Sequence, residues 1–205
     1  SNLPFLLMGT IGLIGISRLP PSAPRAAYVV FCVGSMLVGL GSAYYHYSPA
    51  MRPLVWDRLP MTVAFMALFA MVVHDRFSEK LGRAILWPMI VTGFASVMYW
   101  YGSELEGQGD LRPYALVQFL PMVLIPLMLL LYPGKGLHSA WLWATIGTYA
   151  LGKVAEHFDQ AIYQGVGVIS GHSIKHLLGA LAVFWVTRAA IRRQTRVMTT
   201  DFRSP

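Results

Sequence analysis

The stretch PRAAYVVFCVGSMLVGLGSAYYHY, residues 24–47, decides the fold class. After Arg25, the twenty residues from Ala26 to Tyr45 carry no charge. As a helix they would rise about 30 Å, the thickness of a bilayer's hydrocarbon core. Apolar and polar residues do not alternate along the run, so it does not read as a barrel strand. In lipid the remaining solution is a helix, which satisfies its own backbone. The single cysteine, Cys32, lies inside this run. It excludes an internal disulfide and a thiolate zinc site, and reads as a small buried hydrophobe.

Working outward, similar runs occur at about 3–17, 58–74, 83–102, 113–132, 137–157 and 171–190. Together they predict an all-α integral membrane bundle of seven helices, a single domain over residues 1–205. The first run, Leu3 to Ile16, has no charged segment before it and reads as the first membrane helix. The breaks carry suitable punctuation. Pro20, Pro21 and Pro24 separate the first two spans, and Pro49 and Pro53 mark the second turn. Asp75 to Arg83 reads as a charged loop, and Pro133, Gly134 and Gly136 as a tight turn. The whole composition agrees: 56% of the residues are hydrophobic and only 12% charged. Soluble domains carry roughly twice that charge.

The net charge of +7 raises the question of nucleic acid. The cations, however, sit in short loops and in the tail after Val186, where they face headgroups, so no nucleic-acid partner is expected. Arg18, Arg25, Arg76, Lys80, Arg83 and Lys135 fall on one side of an odd-numbered bundle, with Arg188, Arg192, Arg193, Arg196 and Arg203. Glu104, Glu106 and Asp110 fall on the other, and the loop from Tyr47 to Trp56 dissents, since its Arg52 lies there too. The positive side predicts an outside N-terminus and a cytoplasmic C-terminus, in a bacterial inner membrane.

Ionisable groups in spans are costly and tend to mark function. Three clusters stand out. Ser42 and His46 share a helix face at the end of span two. Asp57 and Arg58 precede Pro60 at the start of span three, where Asp57 reads equally well as a helix cap. His172 and His176 open span seven at the four-residue spacing that lets two imidazoles converge on one ion. Each has a plain alternative: a serine bonded to its own helix, a cap, histidines among headgroups. Chain direction brings all three to one membrane face at similar depth. Three imidazoles would leave a fourth tetrahedral position open, the pattern of catalytic zinc. Lys153, Glu156 and Asp159 form a charged patch nearby, read either as partners for a histidine N–H or as a salt-bridged helix end. His74, His138 and His157 sit at span ends and are weaker candidates.

At these residues the sequence resembles the alkaline ceramidase family, bacterial branch, within a seven-span hydrolase superfamily that includes the progestin and adiponectin receptors. The resemblance rests on GSAYYH at 41–46, WDRLPMT at 56–62 and SGHSIKH at 170–176. It implies zinc bound by His46, His172 and His176, with Ser42 and Asp57 completing the catalytic group. It also implies hydrolysis of the amide of a ceramide-like lipid, giving a fatty acid and an amine. In such a site Asp57 would move the proton and Ser42 would hydrogen-bond the oxyanion.

Two other classes remain on the sequence. One is a seven-span lipid receptor or binding protein that keeps zinc without hydrolysis. The other is a pigment or redox protein, with haem between two histidines or retinal on Lys175. A transporter would show internal repeats or spans broken at mid-membrane, and neither is apparent.

Overall fold

The computed structural model describes residues 1–19, 21 and 23–201, with side chains as far as Ile191. Pro20 and Arg203 lie outside the described residues, as do the side chains of Arg192, Arg193 and Arg196. All the regular structure among the described residues is helical, with no strand. The helices are α1 (Leu3–Ile14), α2 (Arg25–Tyr47), α3 (Met51–Arg76), α4 (Glu79–Leu105), α5 (Arg112–Leu131), α6 (Ser139–His157), α7 (Asp159–Val166) and α8 (Gly171–Asp201). A 3-10 turn, Gly15–Arg18, continues α1.

Five of these, α2, α3, α4, α5 and the Gly171–Ile191 part of α8, are long and apolar enough to cross a bilayer. They mark the chain as a membrane protein. Only 28% of the α5 span is buried, although its hydropathy of 2.2 is the highest of the five. Trp87, Val91 and Phe94 of α4 and Leu116, Val123 and Leu130 of α5 are exposed, an outer surface that lipid solvates. Leu3–Arg18 is shorter, and α6 carries Lys153, Glu156 and His157 in its last turns. The short α7 was not expected from the sequence. Its polar and apolar residues do not form an apolar run, and it has no buried residue.

The core lies where α2 meets α3 and where α8 meets α1 and α6. Tyr28, Cys32, Ala67, Ala70, Met71, Val186 and Ala189 fill it. The Tyr28 hydroxyl donates to the Gly12 carbonyl at 3.0 Å, tying α2 to α1.

Two readings need correction. The Asp75–Arg83 segment is not a charged loop. His74, Asp75 and Arg76 are buried in the last turn of α3, and only Phe77 and Ser78 link it to α4. There Asp75 accepts from the Leu137 N–H at 2.8 Å. Arg76 donates to Leu137 O at 3.2 Å and Ser139 Oγ at 3.0 Å. The pair therefore clamps the α5–α6 connection, which lets two charges lie buried. Ser78, not an acid, caps α4, accepting from Leu81 N at 3.3 Å.

Asp57, likewise, does not cap α3. The helix begins at Met51, because Pro53 falls in the first turn, where its missing N–H is not needed. Asp57 thus sits inside the helix, facing the bundle. Pro60, inside α3, withholds the N–H that would bond the Trp56 carbonyl four residues earlier. Gly41 of α2 packs directly on that carbonyl, and a Cβ there would overlap its oxygen.

Candidate metal centre and lipid cavity

Helix directions put the end of α2, the beginning of α3, the end of α6 and the beginning of α8 at one end of the bundle. The close approach at Gly41 brings Ser42 beside Asp57, and the two side chains are hydrogen-bonding neighbours. Gly41→Ala is expected to push α2 away from α3. Overpacking of this kind costs about 1–3 kcal/mol, read as a lower thermal midpoint together with reduced turnover; an unchanged midpoint would show that the contact yields freely.

The start of α8 is fixed as tightly. Gly171 sits on the Ala155 carbonyl, where a Cβ would overlap the oxygen. Ser170 Oγ accepts from Ser173 N at 3.2 Å, and Asp159 Oδ1 from His172 N at 2.6 Å. These satisfy two of the donors a helix N-terminus leaves open. Asp159 therefore positions α8 through its backbone. Among the described residues its side chain bonds the His172 backbone and no histidine ring, unlike Glu156, which approaches one.

His46, His172 and His176 converge. Their ligand atoms all lie within 4.8 Å of one another, and they form the one group of this kind among the described residues. His172 Nε2 and His46 Nε2 are 3.0 Å apart. The His172 and His176 rings are 4.6 Å apart, as one helical turn on a shared face requires. Two ligand nitrogens about 2.0–2.1 Å from one zinc ion lie roughly 3.4 Å apart in a tetrahedron, so a small closing of the third imidazole completes the set. The donor chemistry fits as well. His176 Nδ1 is engaged by Ser1 Oγ at 2.9 Å, which leaves Nε2 for an ion. The other nitrogen of His172, Nδ1, faces Lys175 Nζ at 3.4 Å and Glu156 Oε1 at 3.9 Å. Glu156 is held between two lysines, by Lys153 at 2.9 Å and Lys175 at 2.6 Å. His74 is buried at the opposite end of the bundle, His138 precedes α6, and His157 is exposed against Phe158, so none joins the cluster.

Beneath the histidines a cavity of about 360 Å³ opens between α2, α3, α5, α6 and α8. Ser42, Asp57, His172 and His176 line its polar end, and Phe31, Leu68 and Val183 its depth. Gln118 and Tyr149 also line it, the amide donating to the hydroxyl at 2.8 Å. Sequence reading missed both. The available signal was a glutamine within the otherwise apolar fifth run. A cavity with His172, His176, Ser42 and Asp57 in its wall beside many apolar side chains suits an amphiphile.

Fold and site thus define a helical membrane protein with a three-histidine centre beside a largely apolar cavity. A family model described as Ceramidase matches residues 1–134, and the chain belongs to the ceramidase family. No curated protein and no solved structure matches. The matched region holds Ser42, His46 and Asp57 but ends before α8. His172 and His176 are thus joined to the site by geometry alone.

Proposed function

We propose that the protein is a zinc-dependent amide hydrolase of the membrane, cleaving ceramide or a ceramide-like lipid into a fatty acid and an amine. The observation that carries this reading is the convergence of His46, His172 and His176 beside Ser42 and Asp57, over an apolar cavity. Family membership supplies the class of reaction, hydrolysis of the ceramide amide bond.

When bound, zinc would supply Lewis acidity to the amide carbonyl and an acidified water. The chain's own groups do the rest. The cavity aligns the acyl tail with Phe31, Leu68 and Val183, which brings the carbonyl to the histidine end. Asp57 accepts the proton of the attacking water and delivers it to the amide nitrogen as the C–N bond breaks. Without that proton the nitrogen would leave as an anion, a very poor leaving group. Ser42 donates its hydroxyl hydrogen to the oxygen that gains charge. Glu156 Oε1 stands 3.9 Å from His172 Nδ1, and on moving within hydrogen-bond reach it would accept the Nδ1 proton and keep Nε2 turned toward the ion.

Leu3–Arg18 and α6 complete a seven-span bundle in this reading, with α7 at the surface. The ends of the helices opposite the histidines carry Arg18, Arg25, Lys80, Arg83, Lys135 and Arg188. That end is assigned to the cytoplasm of a bacterial inner membrane, which puts the N-terminus and the metal centre at the outer face. Removing metal tests the reading directly. Protein purified without chelator is expected to carry about one zinc per chain, as one three-imidazole site dictates. Stripping it should end fatty-acid release from ceramide, and zinc should restore it. Full release from metal-free protein would overturn the proposal, and binding without release would favour a lipid receptor.

A further inference from the structure

Gln118 and Tyr149 face the cavity from α5 and α6, and the proposed reaction uses neither. Gln118 is buried, the only amide side chain in its span. Such a group is costly in a lipid-embedded helix and tends to mark function. Its Nε2 donates to the Tyr149 hydroxyl oxygen at 2.8 Å. That bond leaves the Gln118 carbonyl oxygen and the Tyr149 O–H hydrogen without a partner among the described residues. Turning the amide over exchanges the roles and still leaves a donor and an acceptor to spare.

The surroundings of the pair do not take up these valences. Phe65 meets the Tyr149 ring edge-on, with centres 5.4 Å apart. The Lys153 ammonium lies 6.0 Å from the centre of the Tyr149 ring and is bound to Glu156. Ser35 and Thr145, hydroxyl residues deeper in the wall, donate to carbonyls of their own helices, Phe31 at 2.8 Å and Trp141 at 2.9 Å. A donor and an acceptor side by side in an apolar wall complement a hydroxyl, which gives and takes a hydrogen bond at one oxygen. The amide of a substrate also gives and takes, but it is held at the histidines. Tyr149 stands seven residues before Glu156 on α6, roughly 10 Å along the helix. The hydroxyl that meets the pair therefore belongs within a few carbons of the amide, not at the far end of a chain.

We propose that Gln118 and Tyr149 together bind a hydroxyl group of the lipid, and that this pair selects hydroxylated N-acyl lipids over plain ones. The proposal rests on the amide-hydrolase reading for the place of the amide, and on the open donor and acceptor for the hydroxyl. A lipid without the hydroxyl strips both groups of water and leaves them unpaired, and that penalty is the source of the selection. A hydroxyl on the amine part and one on the acyl part present the same chemistry, and the test separates them.

Binding to a zinc-loaded protein with turnover suppressed separates recognition from reaction. Asp57→Asn protein in maltoside micelles is titrated by thermal shift with three linear amides: N-dodecyldodecanamide, N-(2-hydroxydodecyl)dodecanamide and N-dodecyl-3-hydroxydodecanamide. One hydroxylated amide is expected to bind about tenfold more tightly than the plain one, the worth of one to two net hydrogen bonds. Which of the two does so tells whether the amine or the acyl part carries the group. Adding Tyr149→Phe, which removes only the hydroxyl and keeps the ring against Phe65, should cut the preference to less than about threefold. Gln118→Leu should do the same. Equal affinity for all three amides would overturn the proposal. So would a full preference retained in either variant, even with a lower thermal midpoint, because the pair would then only tie α5 to α6. A preference that depends on the pair, in a chain whose wild-type form releases no fatty acid, would keep hydroxyl recognition and remove the hydrolase reading alone.

Discussion

His172→Ala is expected to leave the purified protein with less than about a tenth of its zinc and with amide hydrolysis reduced by at least about 10³-fold. Loss of an outer partner of a metal ligand already costs 10–100-fold in affinity, and a ligand itself costs more. Several kcal/mol of charge stabilisation disappear with the ion, which corresponds to the stated loss in rate. The fold should survive. His172 is only partly buried in the first turn of α8, and the bonds that hold that turn are made by its backbone N–H to Asp159 and by Ser170. Metal content by mass spectrometry, hydrolysis of an amide lipid and the thermal midpoint together decide the outcome. His157→Ala serves as the matched control, because His157 is exposed and outside the cluster. A His172→Ala protein with full zinc would sink the proposed ligand set.

Asp57→Asn should do the opposite to the metal. It retains zinc, since Asp57 is not one of the three converging ligands. Turnover should fall by about 10²–10⁴-fold, the usual contribution of a positioned proton carrier. Asparagine keeps the shape of the side chain and can still bond Ser42, so the close packing of α2 on α3 at Gly41 is preserved. The loss should appear in kcat, with KM nearly unchanged, because the proton transfer belongs to the transition state. A variant that keeps wild-type kcat would assign the proton to another group, and Glu156 would be the first to examine.

The parts of this site differ in how plainly the sequence announced them. The histidines were legible as spacing: His172 and His176 lie one helical turn apart, and a helix turns that interval into a shared face. Their union with His46 was legible through chain direction, since helices that alternate across a bilayer put known ends together. Asp57 was read in place but not in role. A cap and a buried interior carboxylate look alike near a proline, and only the start of α3 at Met51 separates them. The charged patch divided in the same way. Asp159 bonds a backbone, while Glu156 joins two lysines and approaches an imidazole.

Local hydropathy, by itself, determined the long helices, though not α7 or the start of α3, because an apolar run in lipid has no other way to satisfy its backbone. It also determined that Ser42, His46, Asp57, His172 and His176 belong at one end of them. It could not determine contacts between helices. Those depend on how each helix is rotated and how near it comes to its neighbour. Here that is decided at Gly41 against the Trp56 carbonyl and at Gly171 against the Ala155 carbonyl. The same packing buried Asp75 and Arg76 at the far end, where the sequence read a charged loop, together with His74 at the span end. It laid the Arg58 guanidinium against the Trp100 and Tyr114 rings. The periodicity of one helix carries no record of the surface that another will present to it, and the tertiary structure alone supplies that surface.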